Sequence, residues 1–160
     1  MKKILRLLFI CIISISSANA AMIFHNDRSI FNGASGLTGV NNDFESTGVA
    51  PGGVLVIADP FVGTGFSASS SSGTGMVALG SGVVGNPTAV IGPNTFADFA
   101  IFTFSPSIEA IGIDLFSNSS SDTFDINIFA AGGALLGNTS VSGIGGAGTF
   151  FGVITDIGTI

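Results

Sequence analysis

Positive charge is scarce in this sequence. Of the four basic residues among 160, Lys2, Lys3 and Arg6 lie within the first twenty positions. Residues 21–160 therefore carry one arginine, Arg28, against ten carboxylates, a formal charge of −9. A surface this acidic repels phosphate groups, so the composition argues against binding to nucleic acids or to anionic membranes.

Several residues that carry enzyme chemistry are also missing or single. The sequence has no tryptophan and no tyrosine, its one cysteine is Cys11, and its one histidine is His25. Thiol catalysis, disulfides and zinc sites need more of these residues than positions 21–160 supply, and no G-x-S-x-G motif is present. We expect His25 to be a solvated side chain and the chain to have no catalytic residue.

Residues 1–20 have the three zones of an export signal. Basic residues come first, an apolar run follows at 7–15, and Ala18 and Ala20 form an A-x-A cleavage motif. The apolar run is about nine residues long, against the ~20 needed to span a bilayer. The sequence therefore predicts a cleavable signal peptide, an exported bacterial protein, and no membrane span in the mature chain.

The remainder has the composition of an all-β protein, rich in Gly, Ser, Thr, Val, Ile and Phe. One short helix is predicted near the start: Asn26 or Asp27 would cap it, residues 28–32 would form it, and Gly33 would end it. Within this helix, Ile30 and Phe31 are expected to face inward.

Strands are predicted from apolar runs and from apolar–polar alternation. They fall at 54–58, 99–104, 111–115, 123–128, 134–141 and 150–154. A hairpin turn is expected at 130–133, and Gly/Ser-rich connectors at 67–75, 118–121 and 143–148. We expect residues 21–160 to form one antiparallel β-sandwich domain, jelly-roll-like in outline.

Two segments match the dinucleotide-binding pattern G-x-G-x-x-G, at 80–85 and at 143–148. The pattern requires a helix after its last glycine, so that the helix N-terminus meets the pyrophosphate. Asn86-Pro87 follows the first match and a predicted strand follows the second. Both segments are therefore expected to be loops.

Acidic side chains are the remaining candidates for a metal site or a catalytic site. If residues 42–45 are extended, Asp43 and Glu45 share one face while Phe44 enters the core. Side-chain oxygens of Asn42, Asp43 and Glu45 would suit a structural Ca²⁺ ion, and paired carboxylates can also hydrolyse glycosides. The third interpretation is a solvated edge that repels other strands.

A second candidate calcium site comprises Asp122 and Asp125, which follow a serine-rich stretch. Arg28, the one cation outside the predicted signal, is expected to pair with a nearby carboxylate such as Asp27.

The order of segments resembles secreted bacterial proteins of the PEP-CTERM (exosortase-substrate) type. The segments that carry the resemblance are DRSIF at 27–31, DFE at 43–45, FTFSPSIEAIGIDL at 102–115, IFAAGGALLG at 128–137 and FFGV at 150–153. The resemblance implies an extracellular β-sandwich of a Gram-negative bacterium that makes exopolysaccharide, and it implies no catalytic residue. The Pro-Glu-Pro motif, apolar helix and basic tail usual in such proteins do not occur by Ile160, so we expect either a fragment truncated at its C-terminal end or a form secreted without an anchor.

Taken together, the sequence favours an exported, non-enzymatic structural or interaction protein of the cell envelope or extracellular matrix, with polysaccharide or envelope components as partners. Two alternatives stay open. One is a calcium-assisted glycan-binding module, which predicts affinity that a chelator removes. The other is a carboxylate glycosidase that uses Asp43 and Glu45, which predicts a cleft between them.

Overall fold

A computed structural model describes residues 21–36, 42–95, 97–156 and 160. The predicted signal peptide, with Ala18 and Ala20, lies outside the described residues. Within them the chain forms one α-helix, one 3₁₀ helix and eleven strands. In chain order the elements are β1 (Met22–His25), α1 (Arg28–Ser35), the 3₁₀ helix (Glu45–Thr47), β2 (Val54–Ile57), β3 (Phe61–Gly63), β4 (Phe66–Ser70), β5 (Met76–Leu79), β6 (Val90–Pro93), β7 (Ala100–Phe104), β8 (Ala110–Leu115), β9 (Asp122–Phe129), β10 (Leu135–Ile144) and β11 (Thr149–Thr155).

The strands form four small antiparallel sheets, which confirms the all-β prediction. Their orders are β1-β11-β8, β10-β9, β2-β5-β6 and β3-β4-β7. The longest pairing is the β9–β10 hairpin, whose turn closes with a 2.8 Å bond from the Ala130 N–H to the Ala134 carbonyl. This is the hairpin that the sequence predicts at 130–133.

Two apolar clusters fill the interior. In the first, Ile128 of β9 packs with Phe151 and Val153 of β11, so the hairpin covers one face of the β1-β11-β8 sheet. In the second, Ala78 of β5 packs with Val49 and Ala89. Both clusters bury apolar side chains from several strands, which is the main favourable term in folding.

Phe44 connects the second cluster to the β3-β4-β7 sheet. It packs against Val49, Ala78 and Ala89, and its ring centroid also lies 6.0 Å from that of Phe61 and 6.2 Å from that of Phe66. The rings of Phe102 and Phe104 extend this group along β7. Aromatic pairs at such distances contribute beyond their buried area, and here they join two sheets.

Helix α1 begins where predicted, since the Asp27 side chain accepts a 2.9 Å hydrogen bond from the Ile30 N–H. It continues past Gly33 to Ser35 and ends at Gly36, whose φ of 62° is left-handed. Phe31 is buried as expected, but Ile30 is 63% exposed, so that part of the prediction is wrong. Successive helix residues are about 100° apart, and a helix lying on one sheet buries one side only.

Two predicted connectors are partly strands. Residues 66–70 form β4, in which Ala68 is completely buried, and Ile144, also completely buried, ends β10. The sequence reads as a loop at both places because Ser and Gly dominate it. In β4, the buried Ala68 lies opposite Phe61 of β3 and Phe102 of β7.

The first glycine-rich segment, 80–85, is a loop as expected; the second, 143–148, is a loop after Ile144. The two segments lie against each other: a Cβ added at Gly85 would be 2.4 Å from the Gly146 carbonyl oxygen. Glycine at these positions therefore allows two backbones to approach closely. Neither segment is followed by a helix.

Candidate functional site

The first predicted site, residues 42–45, is a tight turn. Phe44 is left-handed, with φ 57°, and the 3₁₀ helix begins at the next residue. The Phe44 N–H donates to Asn42 Oδ1 at 2.9 Å and the Glu45 N–H donates to Asp43 Oδ1 at 3.2 Å. The expectation that Asp43 and Glu45 share one face of a strand is wrong, because these local bonds favour a turn over extended pairing.

Glu45 extends this turn toward the second core cluster. Its Oε1 accepts a 2.8 Å hydrogen bond from the N–H of Ala89, one residue before β6. Each of the three predicted ligands thus receives a backbone N–H, which accounts for these residue types without an ion. Among the described residues, no three His, Cys, Asp or Glu side chains are close enough together to hold a metal. Calcium binding by Asn42, Asp43 and Glu45 stays a prediction.

The second predicted site, Asp122 and Asp125, lies on β9. Positions three apart on a strand point to opposite faces. Accordingly, Asp122 accepts a hydrogen bond from the Ser117 hydroxyl, whereas Asp125 Oδ1 accepts one from the Ser140 hydroxyl across the hairpin at 2.6 Å. The fold gives these two carboxylates separate neutral partners.

A polar group that the sequence did not single out surrounds Asp98. The hydroxyls of Ser72 and Thr74 donate to Asp98 Oδ2, and that of Ser71 donates to Oδ1 at 3.4 Å. Hydrogen bonds from Ser72 and then Thr74 hold the pKa of Asp98 below its ordinary value, against a smaller opposing effect of desolvation. We call Asp98 and these three residues the hydroxyl cluster.

Asp59 holds the two ends of the same loop. It accepts hydrogen bonds from the Ser70 hydroxyl and, at 3.2 Å, from the Gly75 N–H. The Ser/Gly-rich segment 70–75 is thereby fixed between two carboxylates. The run of serines was the one sequence feature that could have indicated this hydrogen-bonded loop, since Ser and Thr hydroxyls readily donate to nearby acceptors. Nothing in the sequence indicates that Asp59 and Asp98 are those acceptors.

His25 and Arg28 both differ from expectation. His25 is partly buried rather than solvated; its Nε2 has no hydrogen-bond partner among the described residues, and its ring meets Phe31 edge-on at 5.8 Å. Arg28 pairs with Asp114 of β8, not with Asp27, and its guanidinium carbon lies 4.5 Å from the centre of the Phe150 ring. Asp27 caps α1, which leaves Asp114 as the carboxylate that faces the arginine.

Large apolar side chains are exposed on several strands, most densely on β2. Val54, Leu55 and Val56 are 63%, 42% and 68% exposed. Among the described strands β2 pairs with β5 alone and therefore lies at a sheet edge. We call residues Val54–Ile57 with their unpaired side the β2 edge.

Two shallow cavities lie away from every predicted ligand. One has a volume of about 380 Å³ and is lined by Ala34, Ser35, Ile108, Glu109, Ala110 and Ile154. The other, about 290 Å³, is lined by Val62, Gly63, Gly65, Phe66, Ser67, Thr103 and Ser105. Glu109 is the one titratable residue in either lining, so neither cavity provides the pair of carboxylates that glycoside hydrolysis uses.

Comparisons with protein-family models, with curated proteins and with solved structures gave no match. Within the described residues, no helix is both long enough and apolar enough to cross a membrane. The structure thus defines an acidic, all-β protein with an apolar sheet edge.

Proposed function

We propose that this chain is an exported, non-enzymatic structural or interaction protein of the cell envelope or extracellular matrix. The observation that carries the proposal is the β2 edge. Three consecutive apolar side chains are exposed there, on a strand whose outer N–H and C=O groups face no described strand. Exposed apolar patches and open strand edges are surfaces on which proteins associate.

The polar groups support the same proposal. The carboxylates Asp59, Asp98, Asp122 and Asp125 each accept hydrogen bonds from serine or threonine hydroxyls, and Glu45 accepts one from a backbone N–H. These bonds order turns and loops and tie strands together. They use these acidic side chains for the fold, so the proposal assigns the interaction surface to apolar side chains, which are most densely exposed on the β2 edge.

Export and location rest on the sequence. The zones of residues 1–20 are typical of a cleavable signal, and the resemblance to exosortase substrates favours the envelope or matrix of a Gram-negative bacterium, with extracellular polysaccharide as one candidate partner.

The proposal can be tested by expressing the full chain in a Gram-negative host that makes exopolysaccharide. The amounts in cytoplasm, washed envelope-and-matrix pellet and medium are measured for the wild type and for a Val54→Ser/Val56→Ser variant. The matched control is Ile23→Ser/Ile30→Ser, which removes two exposed apolar side chains elsewhere, at 57% and 63% exposure. Circular dichroism checks that all three proteins fold.

We expect the wild type and the control in the pellet, and at least half of the Val54/Val56 variant in the medium. Retention of all three proteins in the cytoplasm would refute export. Equal distribution of the two double variants would refute the role of the β2 edge, while hydrolysis of the polysaccharide by the purified protein would refute a non-enzymatic role.

A further inference from the structure

The backbone at Ala21 is bonded to Asp156 in two ways. The Ala21 nitrogen donates to Asp156 Oδ1 at 2.9 Å, and the Asp156 N–H donates to the Ala21 carbonyl at 3.3 Å. These contacts continue the β1–β11 register, in which Met22 lies opposite Thr155, by one further pair. The Asp156 carboxylate thus lies against the nitrogen of Ala21, the first residue after the predicted signal cleavage point.

Signal cleavage changes the chemistry of this nitrogen. In the intact chain it is a neutral amide with one hydrogen. Hydrolysis of the Ala20–Ala21 bond consumes one water and leaves a carboxylate on Ala20 and an amine on Ala21, which near neutral pH holds a further proton as an ammonium group. An ammonium has three donor hydrogens and a full positive charge, so it adds to the hydrogen bond a Coulomb attraction for the carboxylate that an amide N–H lacks.

We infer that cleavage after Ala20 creates an ion pair between the Ala21 α-ammonium and the Asp156 carboxylate, which exists only in the mature protein and reinforces the pairing of β1 with β11. The inference rests on the proposed export. It makes maturation a step that strengthens the fold, because in the precursor the donor to the same carboxylate is an uncharged amide.

Residues 21–160 contain few positive charges with which their ten carboxylates can pair. In residues 21–160, Arg28 is the only basic side chain besides His25, and it pairs with Asp114. The two positive charges would then hold the chain on one sheet just before and just after β1, since Asp156 follows β11 and Asp114 lies on β8.

The absence of lysine from residues 21–160 provides a selective test. After cleavage, the α-amino group of Ala21 is the only primary amine, so N-hydroxysuccinimidyl acetate modifies one atom. Acetylation keeps an N–H donor and removes the charge. Full-length protein is exported, its first residue is read by mass spectrometry, and the unfolding temperature is compared before and after acetylation.

We expect acetylation to lower the unfolding temperature of the wild type by about 1–4 °C at low ionic strength, the range for one exposed ion pair in a chain of this size. Asp156→Asn should remove this response. Asp125→Asn, which alters an exposed carboxylate on the β9–β10 sheet, should keep this response.

The outcomes separate this inference from the proposed export. A protein that keeps its leader and stays in the cytoplasm overturns both. An exported protein that begins at a residue other than Ala21 overturns the ion pair and leaves export supported. A protein that begins at Ala21 but whose unfolding temperature does not respond to acetylation, or responds equally in the Asp156→Asn variant, overturns the ion pair and leaves export supported.

Discussion

Asp98 shows how single residues order a segment that has no apolar side chains of its own. The hydroxyls of Ser71, Ser72 and Thr74 donate to its carboxylate, and Thr95 joins through Thr74. The same loop is held at its ends by Asp59. A Ser/Gly-rich segment loses much conformational entropy on ordering, and these hydrogen bonds offset part of that cost.

The hydroxyl cluster predicts a pH dependence of stability. Because the pKa of Asp98 is lowered from 3.8 in the folded chain, its ionised form stabilises the fold above the unfolded value, and this contribution is lost as pH falls through the lower, folded value. Asp98→Asn should therefore lower the unfolding temperature at pH 7, and its difference from the wild type should shrink between pH 5 and pH 2. Ser72→Ala should behave similarly, and a difference that is constant with pH would contradict the assignment.

At the scale of elements, α1 is held on its sheet by aromatic rings that lie over two glycines. Gly112 of β8 pairs with Gly152 of β11, and a Cβ at Gly152 would lie 2.6 Å from Phe31 Cδ2. At Gly112 it would lie 2.8 Å from Phe150 Cζ. The absence of side chains at this pair allows both rings to approach the backbone, which explains glycine in the middle of two strands.

Gly152→Ala should therefore destabilise the protein by about 1–3 kcal/mol through overpacking against Phe31. Gly92→Ala on β6 is the matched control, since no atom lies within 4 Å of its added Cβ and its backbone is not left-handed. Urea unfolding measures the free energy of unfolding of both variants, and an unchanged m-value shows that the comparison with the wild type is valid. Equal stability of the two variants would show that α1 does not pack on this part of the sheet.

At the scale of the whole molecule, residues 21–160 carry ten carboxylates and one arginine. Such an excess of one sign repels itself in the compact state. Raising NaCl from 10 to about 200 mM should therefore increase the unfolding temperature, as the screening length falls to below ~10 Å. A decrease would mean that the Arg28–Asp114 pair outweighs the general repulsion.

Equal ionic strengths of CaCl₂ and MgCl₂ extend this experiment to the calcium hypothesis. If calcium raises the unfolding temperature more than magnesium does, and Asp43→Asn removes the difference, a calcium site at Asn42, Asp43 and Glu45 is supported. If the two salts raise the unfolding temperature equally, the effect is due to screening.

The sequence alone determined the fold class and many of its elements. The cap at Asp27, the hairpin at 130–133 and the strands β8, β9 and β11 follow from local signals: a capping side chain, a glycine turn and the alternation of apolar residues. Strands β1, β3, β4, β5 and β6 were not predicted, because runs of three to five residues carry little periodicity. The equally short β2 was predicted from its continuous apolar run.

The pairing of side chains depended on tertiary structure. Arg28 pairs with Asp114, 86 positions away, and Asp98 receives hydroxyls from a loop 24 to 27 residues earlier. The bond between Ala21 and Asp156 spans 135 positions. Local composition determines which segments can form strands. The arrangement of those strands in the sheets decides which distant polar groups meet, and no periodicity in the sequence encodes that arrangement.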